Sequence, residues 1–160
     1  MFLKRVLVLS LFLGSVILSG CSSSVSRERV EFVKSFPYPP AGSGGLYIIR
    51  DSHVWDVAKY VDIFINGKLR THLGNGDFSY IVMPEGSYGI TSTQFGGVYR
   101  TVVYQEDLRS LGVRIKIESG KNRYIKYDYD TNSFVILDEE DGKDMVDGGN
   151  MVEEYGNNEQ

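Results

Sequence analysis

Between residues 44 and 139 apolar side chains recur at every second position, and short turns rich in Gly, Asn and Pro interrupt them. A period of two sends alternate side chains to opposite faces of an extended chain, so this stretch is restricted to sheets with an apolar face. Val61, Ile63 and Ile65 alternate with Asp62, Phe64 and Asn66, and Val113, Ile115 and Ile117 alternate with Arg114, Lys116 and Glu118. Asn66-Gly67 is a strong hairpin signal, because both residues tolerate the positive φ of a two-residue turn. A strict two-residue turn sets Ile65 against Lys68 and mismatches the apolar faces. One extra loop residue, Lys68, pairs Ile65 with Leu69 and restores the match, so a bulge is expected. Further strands are expected over 46–49, 78–83, 88–90, 101–104, 123–130 and 134–137, with a helical turn over 105–111 and a loop or short helix over 51–58. Together they predict an all-β fold, an antiparallel β-sandwich of about seven to nine short strands.

Ahead of this domain, Lys4 and Arg5 precede the apolar run VLVLSLFLGSVIL at 6–18. That run is short for a bilayer span and the right length for the hydrophobic part of a signal peptide. It ends in Leu18-Ser19-Gly20-Cys21, which resembles the lipobox of bacterial lipoprotein signals. The resemblance implies that the signal is cut before Cys21, that the sulfur carries a diacylglycerol thioether, and that the new amino terminus is acylated, commonly by palmitate. Each buried CH2 contributes about 0.8 kcal/mol and one chain alone holds marginally, so three chains make the attachment effectively permanent. Ser22 stands where Asp commonly marks inner-membrane retention, which points to the periplasmic face of the outer membrane in a Gram-negative cell. Cys21 is the only cysteine, so the domain has no internal disulfide and no thiol chemistry.

The expected organisation is a signal peptide at 1–20, a lipidated flexible tether at 21–43, a β-sandwich domain at 44–139 and an acidic disordered tail at 140–160. The tether reading rests on SSSVSRER and the Pro/Gly-rich FPYPPAGSGG, the tail reading on its acidic, Gly-rich composition. Removal of residues 1–20 takes Lys4 and Arg5 with it and leaves 15 basic against 21 acidic side chains, a formal charge of −6. An acidic chain lacks the basic patch that nucleic acid requires.

Four segments form a recognisable series: Gly45-Leu46-Tyr47-Ile48-Ile49-Arg50, Val61-Asp62-Ile63-Phe64-Ile65-Asn66-Gly67-Lys68, Leu73-Gly74-Asn75-Gly76-Asp77-Phe78 and Met83-Pro84-Glu85-Gly86-Ser87-Tyr88. The series resembles an uncharacterised family of bacterial lipoproteins with a small all-β domain of unknown function. It is more loosely similar to PEGA-type β domains of bacterial surface proteins. Glu118-Ser119-Gly120-Lys121-Asn122-Arg123-Tyr124 resembles that family's Gly-Lys-x-Tyr turn with one residue inserted before the Tyr. The resemblance implies a β-sandwich on a lipid anchor and carries no catalytic residues.

Few residues point to chemistry. Asp128, Asp130, Asn132 and Glu139 occupy EF-hand spacing, but Ser133 replaces the glycine of the sharp turn and both flanks alternate like strands. Calcium is therefore a weak candidate, and an ordinary hairpin turn is the expected use of these side chains. His53 and His72 belong to no metal-spaced cluster, and His72 is expected to face solvent. There is no G-x-S-x-G. Trp55 and Tyr127 are the possible surface contacts, since exposed aromatics mark partner or carbohydrate sites. The chain therefore reads as a non-enzymatic, lipid-anchored envelope protein needing no cofactor. It would act as a structural or interaction module toward another envelope protein or a cell-wall component. The alternative is a ligand-binding module for glycan, peptide or calcium; a hydrolase with an unrecognised site ranks third.

Overall fold

The computed structural model describes residues 25–54, 59–95 and 112–155. The signal segment, Cys21, Trp55, the strand expected at 101–104 and the helical turn expected at 105–111 lie outside them. Within the described residues the order is α1 (Arg27–Lys34), β1 (Ser43–Arg50), β2 (Tyr60–Ile65), β3 (Lys68–Leu73), β4 (Asp77–Pro84), β5 (Gly86–Phe95), β6 (Val113–Ile117), β7 (Asn122–Asp128), β8 (Ser133–Leu137), α2 (Glu139–Gly148) and β9 (Asn150–Met151).

These strands form two sheets, one ordered β8-β7-β1-β4-β9 and the other β3-β2-β5-β6. The β-sandwich predicted from the strand pattern is therefore present. Its antiparallel character holds throughout the second sheet only. In the first, β1 pairs antiparallel with β4 but parallel with β7, and β9 runs parallel to β4. Parallel neighbours need long connections between them. Here the chain crosses from one sheet to the other before β7, and α2 returns it to β9.

Strand β1 explains the layering. Every residue from Gly44 to Arg50 is buried. Leu46 and Ile48 point into the sandwich with Ile63, Ile81, Ile90 and Ile125. Tyr47 and Ile49 point the other way and pack with Phe78, Tyr80 and Tyr124. An apolar outer face of this kind must be covered. Val33 of α1 and Val146 of α2 cover it, making a third layer.

Two expectations are corrected by this layer. The segment read as a flexible tether contains α1, and the segment read as an acidic disordered tail contains most of α2 together with β9. The helix signals were local and polar. Ser26 caps α1 by accepting from Arg29 N (3.3 Å), and Asp138 caps α2 by accepting from Asp141 N (2.9 Å). Glu139, Glu140 and Asp141 then occupy the first turn of α2, where carboxylates complement the helix dipole. The acidic run is the start of a helix. Lys34 Nζ joins the two helices by donating to Asp147 O (2.8 Å) and Gly149 O (3.0 Å).

The Asn66-Gly67 hairpin also departs from its expected register. Asn66 (φ 49°) and Gly67 (φ 78°) form a two-residue turn, with Ile65 opposite Lys68 and Phe64 opposite Leu69. The bulge falls farther along, between Ile63 and Phe64, so that Ile63 faces Thr71 and Arg70 is the extra residue. The apolar faces are rematched as required, from a different position. Asn66 stabilises the turn through β5, donating its N–H to Gly89 O (2.8 Å) and accepting from Gly89 N at Oδ1 (2.9 Å).

After β9 the chain turns toward β3. Val152 N donates to Phe78 O (2.9 Å), Thr71 Oγ1 donates to Glu153 O (3.1 Å), and Arg70 pairs with Glu154. Tyr155 meets His72 edge-on at 4.6 Å. This strap ties one edge of the first sheet to β3 of the second.

The glycine in α2 tests the third layer. A Cβ at Gly142 would drive into the Tyr124 ring. Gly142→Ala is expected to destabilise the domain by about 1–3 kcal/mol, the usual cost of overpacking, even though Ala favours a free helix. Urea denaturation of the two proteins checks this; a stabilised variant would mean that α2 does not dock.

Candidate functional site

A cleft of about 270 Å³ opens where the third layer meets the β6–β7 turn. Gly120 (φ 71°) makes that turn possible, and β1 holds it: Gly120 N donates to Ser43 O (2.8 Å) and Gly45 N to Lys121 O (3.0 Å). Asn122 Nδ2 donates to Pro37 O (3.1 Å), fastening the loop between α1 and β1 across the same end. Phe36 and Tyr38 of that loop form one wall, Lys121 and Arg123 another, and Leu137 to Glu139 with Lys143 a third.

The charges are paired and close to balance. Lys143 lies over the Phe36 ring (5.3 Å) and pairs with Glu139 (2.6 Å). Glu118 at the rim pairs with Arg123 (2.6 Å), Lys121 (3.4 Å) and Lys116 (3.8 Å). The Lys121 ammonium, followed by Arg123 and Lys116, holds the Glu118 carboxyl below its usual range.

Tyr124 also lines the cleft, stacked on Tyr47 at 4.9 Å and 13°. Its phenol is pushed up to about 12, first by burial and then by the Glu139 carboxylate and Tyr80, with Asn122 acting in the opposite direction. The Tyr124 hydroxyl, Asn122 Oδ1 and Arg123 Nε are buried and make no hydrogen bond of ordinary geometry. Asn122 Oδ1 faces Gly45 of β1 rather than the cleft, so the groups that reach the cleft are the charged ends of the Lys121, Arg123 and Lys143 side chains. Paired lysines and an aromatic wall equip the cleft for binding.

Of the candidate site residues that the structure describes, only Glu139 lines the cleft. Tyr127, expected at the surface, is fully buried in the sandwich and donates to Asn132 Oδ1 (2.6 Å). Its strand neighbours alternate, and Tyr127 falls on the inward face with Ile125. Asp128 Oδ1 accepts from Asp130 N (3.0 Å) and Thr131 N (3.2 Å), and the Thr131 N–H is the main cause of its lowered carboxyl pKa. Asn132 takes positive φ (50°) in the same turn. Glu139 is separated from them by the whole of β8, beside Tyr124. The EF-hand spacing therefore closes no common site, because an extended strand stands where a calcium loop would curl. Among the described residues no three His, Cys, Asp or Glu side chains come together in a metal-holding group. His72, expected to face solvent, is half-buried and pairs with Asp62.

Sequence reasoning also missed Arg50. It is 1% exposed, donates from Nη1 to Lys59 O (2.6 Å) and Leu73 O (3.1 Å), and lies over Tyr129 (4.6 Å). Its charge also acts to lower the nearby Asp77 carboxyl, which burial raises. A terminal arginine on an apolar run carries no signal that it will turn inward.

The chain matches no established protein-family profile. It is 27% identical to an uncharacterised protein of Haemophilus influenzae over 160 residues, covering 94% of this chain and 88% of the relative.

The buried phenols set an alkaline limit. Tyr124 titrates in the folded chain near 12 rather than at its ordinary 10.0, and Tyr47 and Tyr80 are raised as well. A raised phenol favours folding below pH 10, and that contribution is lost as pH rises through the folded pKa. Tyr124→Phe should therefore make stability fall less steeply between pH 10 and 12, by up to about 1.4 kcal/mol per pH unit. Urea midpoints measured across that range check it; parallel slopes for variant and parent would refute the buried-phenol account.

Proposed function

We propose that this chain is a lipid-anchored protein of the bacterial envelope, acylated at Cys21, whose β-sandwich is a non-enzymatic interaction module. The observation that carries the reading is the ordered series of positive residues, apolar run, Leu18-Ser19-Gly20 and Cys21 placed five residues ahead of the α1 cap Ser26. Among the described residues no helix is long and apolar enough to cross a membrane. On this reading the acyl chains provide the attachment, on the periplasmic face of the outer membrane in a Gram-negative cell. The distribution of polar groups supports a non-enzymatic role, because Asp128, Asn132, His72 and Arg50 are engaged in turns, pairs and strand ends.

The cleft supports a second reading, a ligand-binding module for a peptide or glycan of the envelope. Phe36 and Tyr38 supply apolar contact, and the charged ends of Lys121, Arg123 and Lys143 supply orientation.

Cys21→Ser is expected to leave the signal uncut or to release the protein from membranes, as read by fractionation and intact mass. A variant still processed and acylated would sink the anchor reading. Crosslinking in intact membranes followed by mass spectrometry separates the two functional readings. One stoichiometric protein partner supports the interaction module. Binding of the isolated protein to cell-wall fragments, lost in Arg123→Ala, supports the ligand module instead.

A further inference from the structure

We infer that the α1 corner of the domain rests on the bilayer that holds its own anchor, with Phe32 at the headgroup level. The inference rests on acylation of Cys21 as proposed above, and it follows from the amount of chain available. Cys21 precedes Ser26, the cap of α1, by five residues. A fully extended chain spans about 3.3–3.6 Å per residue, so α1 starts no more than about 18 Å from the acylated residue. The docked helix takes away the long tether that the Ser-, Pro- and Gly-rich composition suggested.

The surface of that corner suits a lipid interface. Phe32 is 59% exposed although the next residue, Val33, is buried under the domain. Six residues of helix at 1.5 Å each place Phe32 about 9 Å beyond the cap. An exposed Phe on a helix is suited to the boundary between headgroups and hydrocarbon. Charge supplies a direction as well. Helix α1 carries Arg27, Arg29 and Lys34 against Glu28 and Glu31, whereas α2 carries Glu139, Glu140, Asp141, Asp144 and Asp147 against Lys143. An anionic leaflet attracts the first and repels the second. The start of α1 faces the lipid, and α2 with the cleft faces away from it.

The acylation leaves a convenient probe, because with the Cys21 sulfur in a thioether a newly introduced cysteine is the only thiol. Acylated Phe32→Cys and Lys68→Cys proteins, labelled with an environment-sensitive fluorophore, are reconstituted into phosphatidylethanolamine–phosphatidylglycerol vesicles. Lys68 lies at an exposed turn of the second sheet, on the far side of the first sheet from α1. The expected result is severalfold stronger quenching of the 32 label by nitroxide-bearing lipid, and severalfold weaker quenching by aqueous iodide, than of the 68 label. Twenty Gly/Ser residues inserted between Val25 and Ser26 should keep the protein on vesicles while reducing the lipid quenching at 32, since the longer leash lowers the effective concentration. Equal iodide access at 32 and 68 in vesicle-bound protein would overturn the inference and leave the anchor reading intact. Failure of the unmodified mature protein to sediment with vesicles would overturn both.

Discussion

The structure depends on a strand that needs cover on both sides. From Gly44 to Arg50, β1 presents Leu46 and Ile48 to the second sheet and Tyr47 and Ile49 to the outside. A two-layer sandwich would leave Tyr47, Ile49, Phe78, Tyr80 and Tyr124 in water. Apolar burial is worth roughly 25 cal/mol per Å², and each aromatic hides a large area, so the demand for a third layer is strong. It is met by the two segments that flank the sandwich in sequence. Each helix offers little by itself: α1 has one fully buried apolar residue, Val33, and α2 has Val146. The sheet holds the helices, and their capping residues decide where they begin.

The candidate site is a by-product of that arrangement. Its walls come from the loop after α1, the β6–β7 turn and the start of α2, which meet only because both helices dock on one face. Tyr124 serves two purposes there, stacking on Tyr47 within the layer and lining the cleft. The same packing shortens the distance between Cys21 and the folded domain. What is needed to cover β1 therefore also sets how little chain lies between Cys21 and the first helix.

The strand content was readable because it rests on short-range rules. Alternation at Val61–Ile65 and Val113–Ile117 places one face inward wherever the strand lies, and Asn-Gly or Pro-Glu-Gly turns need only local φ values. Even the mismatch at Asn66-Gly67 was legible, since apolar faces cannot pair out of register. Where the bulge would sit was not, because neighbouring β5, through Gly89, stabilises the tight turn and moves the extra residue to Arg70. Tyr127 was misplaced for a related reason: Tyr124 and Tyr127 lie on opposite faces of β7, and alternation alone does not say which face is covered. Arg50 turned inward because two carbonyls and the Tyr129 ring wait there, and these groups come from distant parts of the chain.

By itself the sequence determined the period-two strands, the turn positions, the absence of any internal disulfide and the lipobox-like series ending at Cys21. All of these depend on residues close together in the chain. Tertiary structure decided the parallel pairings of β7 and β9, the docking of α1 and α2, and the cleft between them. Those features depend on an apolar face assembled from β1, β4 and β7, and a polar segment becomes a helix only when such a face is there to receive it.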